Sequence, residues 1–154
     1  MSAPAIHIGL HGDPINPWLL LEAHQGLQGT APAAATSLFI GRVRGTTDAG
    51  WPLDALELEH YPGMTEAELR RVATACAHRH RVAAVAVDHR MGRLAPGEPI
   101  VVVAVMANRR GPAQRCCQER REALKHEVPF WKREWSKGSG TWVASNTPLD
   151  GEPG

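Results

Sequence analysis

Ile100-Val-Val-Val-Ala-Val-Met-Ala107 is a run of eight apolar residues, and Asn108-Arg-Arg-Gly-Pro112 follows it directly. A β-branched run of that length reads as a strand buried on both faces, central in a sheet. Gly111-Pro112 then opens a helix to about His126, with proline at an early position where its missing N–H does no harm. Val128-Pro129 stops that helix.

Outward from this core, Val82 to Met91 is the preceding strand and Gly92 to Pro99 a turn. Thr65-Glu-Ala-Glu68 is a capping-box pattern opening a helix to about His80, with Leu69, Val72, Ala73 and Cys76 on one face. Asp54 to Tyr61 alternates with the period of a strand. Ala33 to Val43 and Ala5 to Leu10 are further strands, and Trp18 to His24 is a short helix after Pro17. Thr46 to Pro52 is a polar loop. Phe130 to Trp135 and Thr141 to Ser145 form a last strand pair around Gly138-Ser139-Gly140. Strands and helices mix without regular βαβ alternation, which predicts an α+β domain. The length of 154 residues bounds it to one domain, residues 1–147, with 148–154 as a flexible tail.

Net charge is +1 and charged residues make up 21%, which excludes a disordered acidic tail and a bulk nucleic-acid coat. No apolar run reaches a membrane span, and the start Met1-Ser-Ala-Pro-Ala lacks the pattern of a secretory signal. The three cysteines, Cys76, Cys116 and Cys117, fit reduced thiols in the cytoplasm rather than a disulfide framework. They match no zinc spacing, and no metal ligands or cofactor are assigned.

The near-neutral balance hides an asymmetry. Arg109 to Lys137 holds nine Lys or Arg against four Glu, a local +5, while the rest of the chain carries −4. Of seventeen basic residues only three are lysines, Lys125, Lys132 and Lys137, and all lie in this segment. Arginine stays charged, whereas a desolvated lysine can lose its proton and act as base or nucleophile. Lys125 and Lys132 are seven apart, so Pro129 must bend the chain if they are to converge. Phe130 and Trp131 can wall such a pocket, and burial lowers a lysine pKa from about 10.4. Gly41-Arg-Val-Arg-Gly45 lacks a nucleotide fingerprint but sets two guanidiniums at a strand end. Asn108, Arg109 and Arg110 stand at a helix start, where backbone N–H groups favour an anion.

Three strings together, Leu58-Glu-His-Tyr-Pro-Gly-Met64, Gly92-Arg-Leu-Ala-Pro-Gly-Glu98 and Pro129-Phe-Trp-Lys-Arg-Glu134, resemble the large, catalytic subunit of molybdopterin synthase. The likeness runs in order from about Ser37 to Ala144. It implies an α/β hammerhead-type fold with a mixed and antiparallel sheet. It implies a homodimer of large subunits inside a heterotetramer, each copy binding a small ubiquitin-like sulfur carrier. The implied activity is that of a sulfurtransferase: sulfur passes from the carrier's thiocarboxylated C-terminus to cyclic pyranopterin monophosphate. The product dithiolene serves molybdenum cofactor biosynthesis. By the same resemblance Lys125 and Lys132 are catalytic, and Arg44 and Arg109 bind anions together with their neighbours Asn108 and Arg110. Asn108 stands where the family commonly has histidine. It can hydrogen-bond an anion but cannot charge near neutral pH. Two other readings fit the same residues: a scaffold that binds the small subunit without turnover, and a basic, aromatic surface for RNA or other anions. Neither nucleic acid nor membrane is expected as a partner.

Overall fold

The computed structural model describes residues 3–27, 33–126 and 130–143, with 124–126 given by their backbone alone. The apolar run is the middle of strand β6 (Pro99–Ala107). Its neighbours are β4 (Ala84–Arg90) on one side and β2 (Ala35–Arg42) on the other, both antiparallel to it. β1 (Ala5–His11) joins β4 in parallel, giving the order β1-β4-β6-β2. Val101, Val103 and Val105 of β6 pack with Val85 and Val87 of β4 beneath α2 (Met64–His80) and α3 (Arg110–His126). The opposite face, with Ala84, Ala86, Ala104 and Met106, takes α1 (Pro17–His24) through Leu21. Both faces of β4 and β6 are thus covered, which is why these strands read as continuous apolar runs.

A second sheet has the order β5-β3-β7-β8, from β5 (Gly92–Leu94), β3 (Ala55–His60), β7 (Phe130–Ser136) and β8 (Ser139–Trp142). Every pairing in it is antiparallel. Leu58, Leu94, Met91, Val43 and Leu53 form its own buried cluster, which meets the first sheet through Leu10 and Ile100. The α+β class and the mixed and antiparallel pairing match the reading of the sequence.

Three local expectations are corrected. The segment read as a turn after Met91 contains β5, because Gly92 at φ 91° lets the chain pair at once with Leu58. The last hairpin turns on Lys137 and Gly138, both at positive φ, as a two-residue connection. β8 therefore starts at Ser139, earlier than predicted, and residues 144–145 of that predicted strand lie outside the described residues, as does the predicted tail 148–154. The capping box does not cap: α2 starts at Met64 after Gly63, and no side chain caps it. Thr65 is fully buried instead, and its hydroxyl accepts from the Tyr61 N–H at 3.0 Å, while Glu68 turns to Arg71.

All three cysteines are free and buried. No described helix is long and apolar enough to cross a membrane.

Candidate active site at the junction of the two sheets

Residues opposite one another in antiparallel strands project to the same face. Lys132 stands opposite Leu58, and Phe130 opposite His60. Leu58 is fully buried against the first sheet, so Lys132 and Phe130 also point inward, toward the end of β4. There His89 stacks on Phe130, with ring centroids 4.3 Å apart and planes 18° from parallel. The imidazole Nδ1 donates to the Arg90 carbonyl at 2.9 Å. Burial pushes the His89 pKa down to about 4; the Arg90 carbonyl partly opposes this, and the positive charge of Lys132 adds to it. Near neutral pH the junction therefore holds an uncharged imidazole beside a partly buried ammonium.

Next to it, Arg90 is buried in an ion pair with Glu98 at 3.1 Å, and the other Glu98 oxygen accepts from the Ala95 N–H at 2.6 Å. This closes the loop between β5 and β6, and the Glu98 carbonyl accepts from Val43 N–H at 2.9 Å. The chain is so held where it leaves β2 toward Arg44. Arg44 pairs with Asp48 at 3.3 Å, and the Asp48 N–H donates to Glu134 at 3.2 Å. Glu134 lies two residues along β7 from Lys132 and on the same face, so Arg44 and Lys132 belong to one neighbourhood. A cavity of about 620 Å³ opens alongside, lined among others by Asp48, Trp51, Glu134, Lys137 and Trp142. Lys137 sits over the Trp51 ring at 4.5 Å.

The remaining expected residues divide by topology. β2 and β6 are antiparallel, with Gly41 beside Val101 and Ala35 beside Ala107. Asn108, Arg109 and Arg110 thus stand, exposed, just beyond Ala107 at the far end of β6, more than about 20 Å from the row of Val101 at the usual strand rise. α3 starts there and runs back along the sheet. At the usual helical rise Lys125 lies about 22 Å beyond Arg110, toward the end that carries His89 and Lys132. The Lys125 side chain lies outside the described residues. Within one copy the strand order thus sets Asn108, Arg109 and Arg110 beyond the end of β6 opposite Val101, and α3 runs back from there.

Sequence reasoning gave no role to His89. Its signal was one histidine within the polar run Asp88-His89-Arg90 at the end of an apolar strand, which does not by itself separate a satisfied core histidine from a site residue.

The arrangement defines a class: an α+β domain of two sheets with a partly buried lysine at their junction and arginines at its strand ends. The family model of the MoaE protein matches residues 14–127. The molybdopterin synthase catalytic subunit of Cereibacter sphaeroides is 40% identical over 124 residues, covering 80% of this chain and 83% of that protein. Among solved structures, the molybdopterin biosynthesis MoaE protein from Burkholderia ambifaria superposes with a TM-score of 0.77 at 35% identity, covering 94% of each chain. Molybdopterin synthase from Staphylococcus aureus gives a TM-score of 0.76 at 26% identity, over 94% of this chain and 98% of that one. The chain belongs to the MoaE protein family, and with it to molybdopterin biosynthesis.

Proposed function

We propose that the chain is the catalytic subunit of a molybdopterin synthase. It moves sulfur from the thiocarboxylated C-terminus of a small ubiquitin-like carrier to cyclic pyranopterin monophosphate, in the cytoplasm. The observation that carries this reading is the inward-facing Lys132 beside neutral His89, at the end of the fold toward which α3 directs Lys125. An ammonium group in a partly dry junction suits guests that bring a phosphate and a carboxyl group. Lys125 acts in acid–base chemistry or makes a covalent contact with the tail or substrate. Lys132 stabilises negative charge as it develops and orients the sulfur. Arg44 holds phosphate from the same copy.

Arg109, with Asn108 and Arg110, serves from a second copy of the chain. Its place beyond the end of β6 opposite the row of Val101 supports this. A homodimer within a heterotetramer supplies that arrangement. The relatives' name, a catalytic subunit, supports a further subunit. Asn108 positions the anion as a neutral donor.

Reconstitution with thiocarboxylated small subunit and cyclic pyranopterin monophosphate tests the reading. Dithiolene accumulates with the wild-type chain. Lys125→Ala abolishes it while folding and small-subunit binding persist. Full activity in that variant overturns the assignment, and binding without turnover in the wild type makes the chain a scaffold.

A further inference from the structure

On the face of the first sheet turned toward α1, four polar side chains converge away from the junction. Ile6, Ile8 and Leu10 of β1 pack on the helix side, so His7, Gly9 and His11 point the other way. Parallel pairing sets Gly9 beside Asp88 of β4, and the Asp88 carboxylate is fully buried. His7 Nε2 lies 3.1 Å and His11 Nε2 2.6 Å from Asp88 Oδ1. His24, buried in the last turn of α1, brings its Nε2 to 2.7 Å from Oδ2. Gly9 makes the room. A Cβ there would lie 2.5 Å from Asp88 Oδ1 and 2.8 Å from His11 Nε2.

We propose that His7, His24 and Asp88 bind a divalent transition-metal ion of the zinc class, with His11 holding the carboxylate from its other side. Three features carry this. The two ring nitrogens and a carboxylate oxygen lie within 4.8 Å of one another and come from three different elements, β1, α1 and β4. Imidazole nitrogen and carboxylate oxygen are the borderline donors that Zn²⁺ prefers. All three imidazoles approach the carboxylate through Nε2, two at Oδ1 and one at Oδ2. As metal ligands the imidazole lone pairs bring no charge and the carboxylate one negative charge, which a divalent ion overcompensates only slightly. His7 and His11 are each about one-third exposed, which leaves a way in and a position for water. The ion ties β1 and α1 to the central strand and takes no part in the sulfur chemistry.

A competing donor set lies between α2 and α3, where Cys76, His80 and Glu119 also converge. There Glu119 is already paired with Arg79, and Arg115 and Arg120 act on His80 as well. Three guanidiniums oppose a cation at that place.

The test uses the full chain, stripped with a chelator and titrated with Zn²⁺ by calorimetry, then with Co²⁺ followed by its visible spectrum. One equivalent binds, Tm rises with Zn²⁺, and the Co²⁺ spectrum shows no thiolate charge-transfer band. His24→Gln and His7→Gln each weaken binding by about tenfold or more. Cys76→Ser binds as the wild type does. His7, being partly exposed, keeps the test valid if the His24 variant fails to fold. Absence of stoichiometric uptake, or uptake that survives His7→Gln, overturns the proposal.

Discussion

His89 and Phe130 stack face to face across the junction of the two sheets, 4.3 Å between ring centroids. The contact joins β4 to β7 and keeps the imidazole out of water, so its charged form is disfavoured. Its pKa falls from the ordinary 6.5 to about 4. Between those values the unfolded chain takes up a proton that the folded chain refuses. The stability that neutral His89 contributes is therefore full above pH 6.5 and is lost as pH falls toward 4. The loss amounts to roughly 3 kcal/mol across that window. His89→Phe retains the stacked ring and removes the proton. Denaturant titrations of the two proteins at a series of pH values should show a flatter profile for the variant there. Parallel profiles would sink the burial argument.

Arg44 reaches β7 near Lys132 through Asp48 and Glu134, while Arg109 stands beyond the end of β6, more than about 20 Å along that strand from the row of Val101. In the proposed homodimer, active sites would then be shared between copies. Lys132→Ala and Arg109→Ala are each inactive alone. Mixing the two, with subunit exchange, restores about a quarter of wild-type turnover per chain, because a mixed dimer carries one intact site. The readout is dithiolene formed in mixtures against unmixed variants. A mixture that stays as inactive as its parents places both residues in the same copy's site.

Glu98 satisfies buried Arg90 and the Ala95 N–H together. Glu98→Ala leaves a buried guanidinium without its carboxylate and should cost about 3 kcal/mol. It also loosens the Val43 attachment that leads the chain to Arg44. Chemical denaturation measures the first effect, and a rise in KM for the pterin monophosphate measures the second.

Gly9 and Gly12 offer a paired test of packing around Asp88. A methyl at Gly9 meets the carboxylate at 2.5 Å, whereas one at Gly12 meets nothing within 4 Å. Gly9→Ala should destabilise by about 1–3 kcal/mol. Gly12→Ala should unfold at the wild-type midpoint. Equal midpoints for all three proteins would show that the cluster gives way without cost.

Much of this molecule was set by local chemistry. Ile100 to Ala107 could only be a strand covered on both sides. The basic segment with all three lysines was also legible, because charge and residue choice are written in composition. Local pattern misled where a nearby partner competed. Thr65 had the form of a cap, yet the Tyr61 N–H claimed its hydroxyl. Tertiary structure alone decided which distant groups meet. Strand direction sent Arg109 away from Lys132 although 23 residues separate them, while pairing of β1 with β4 brought His7 to Asp88 from 81 residues away. Periodicity gives the face on which a side chain lies; only the order and sense of the strands give the neighbour it finds there.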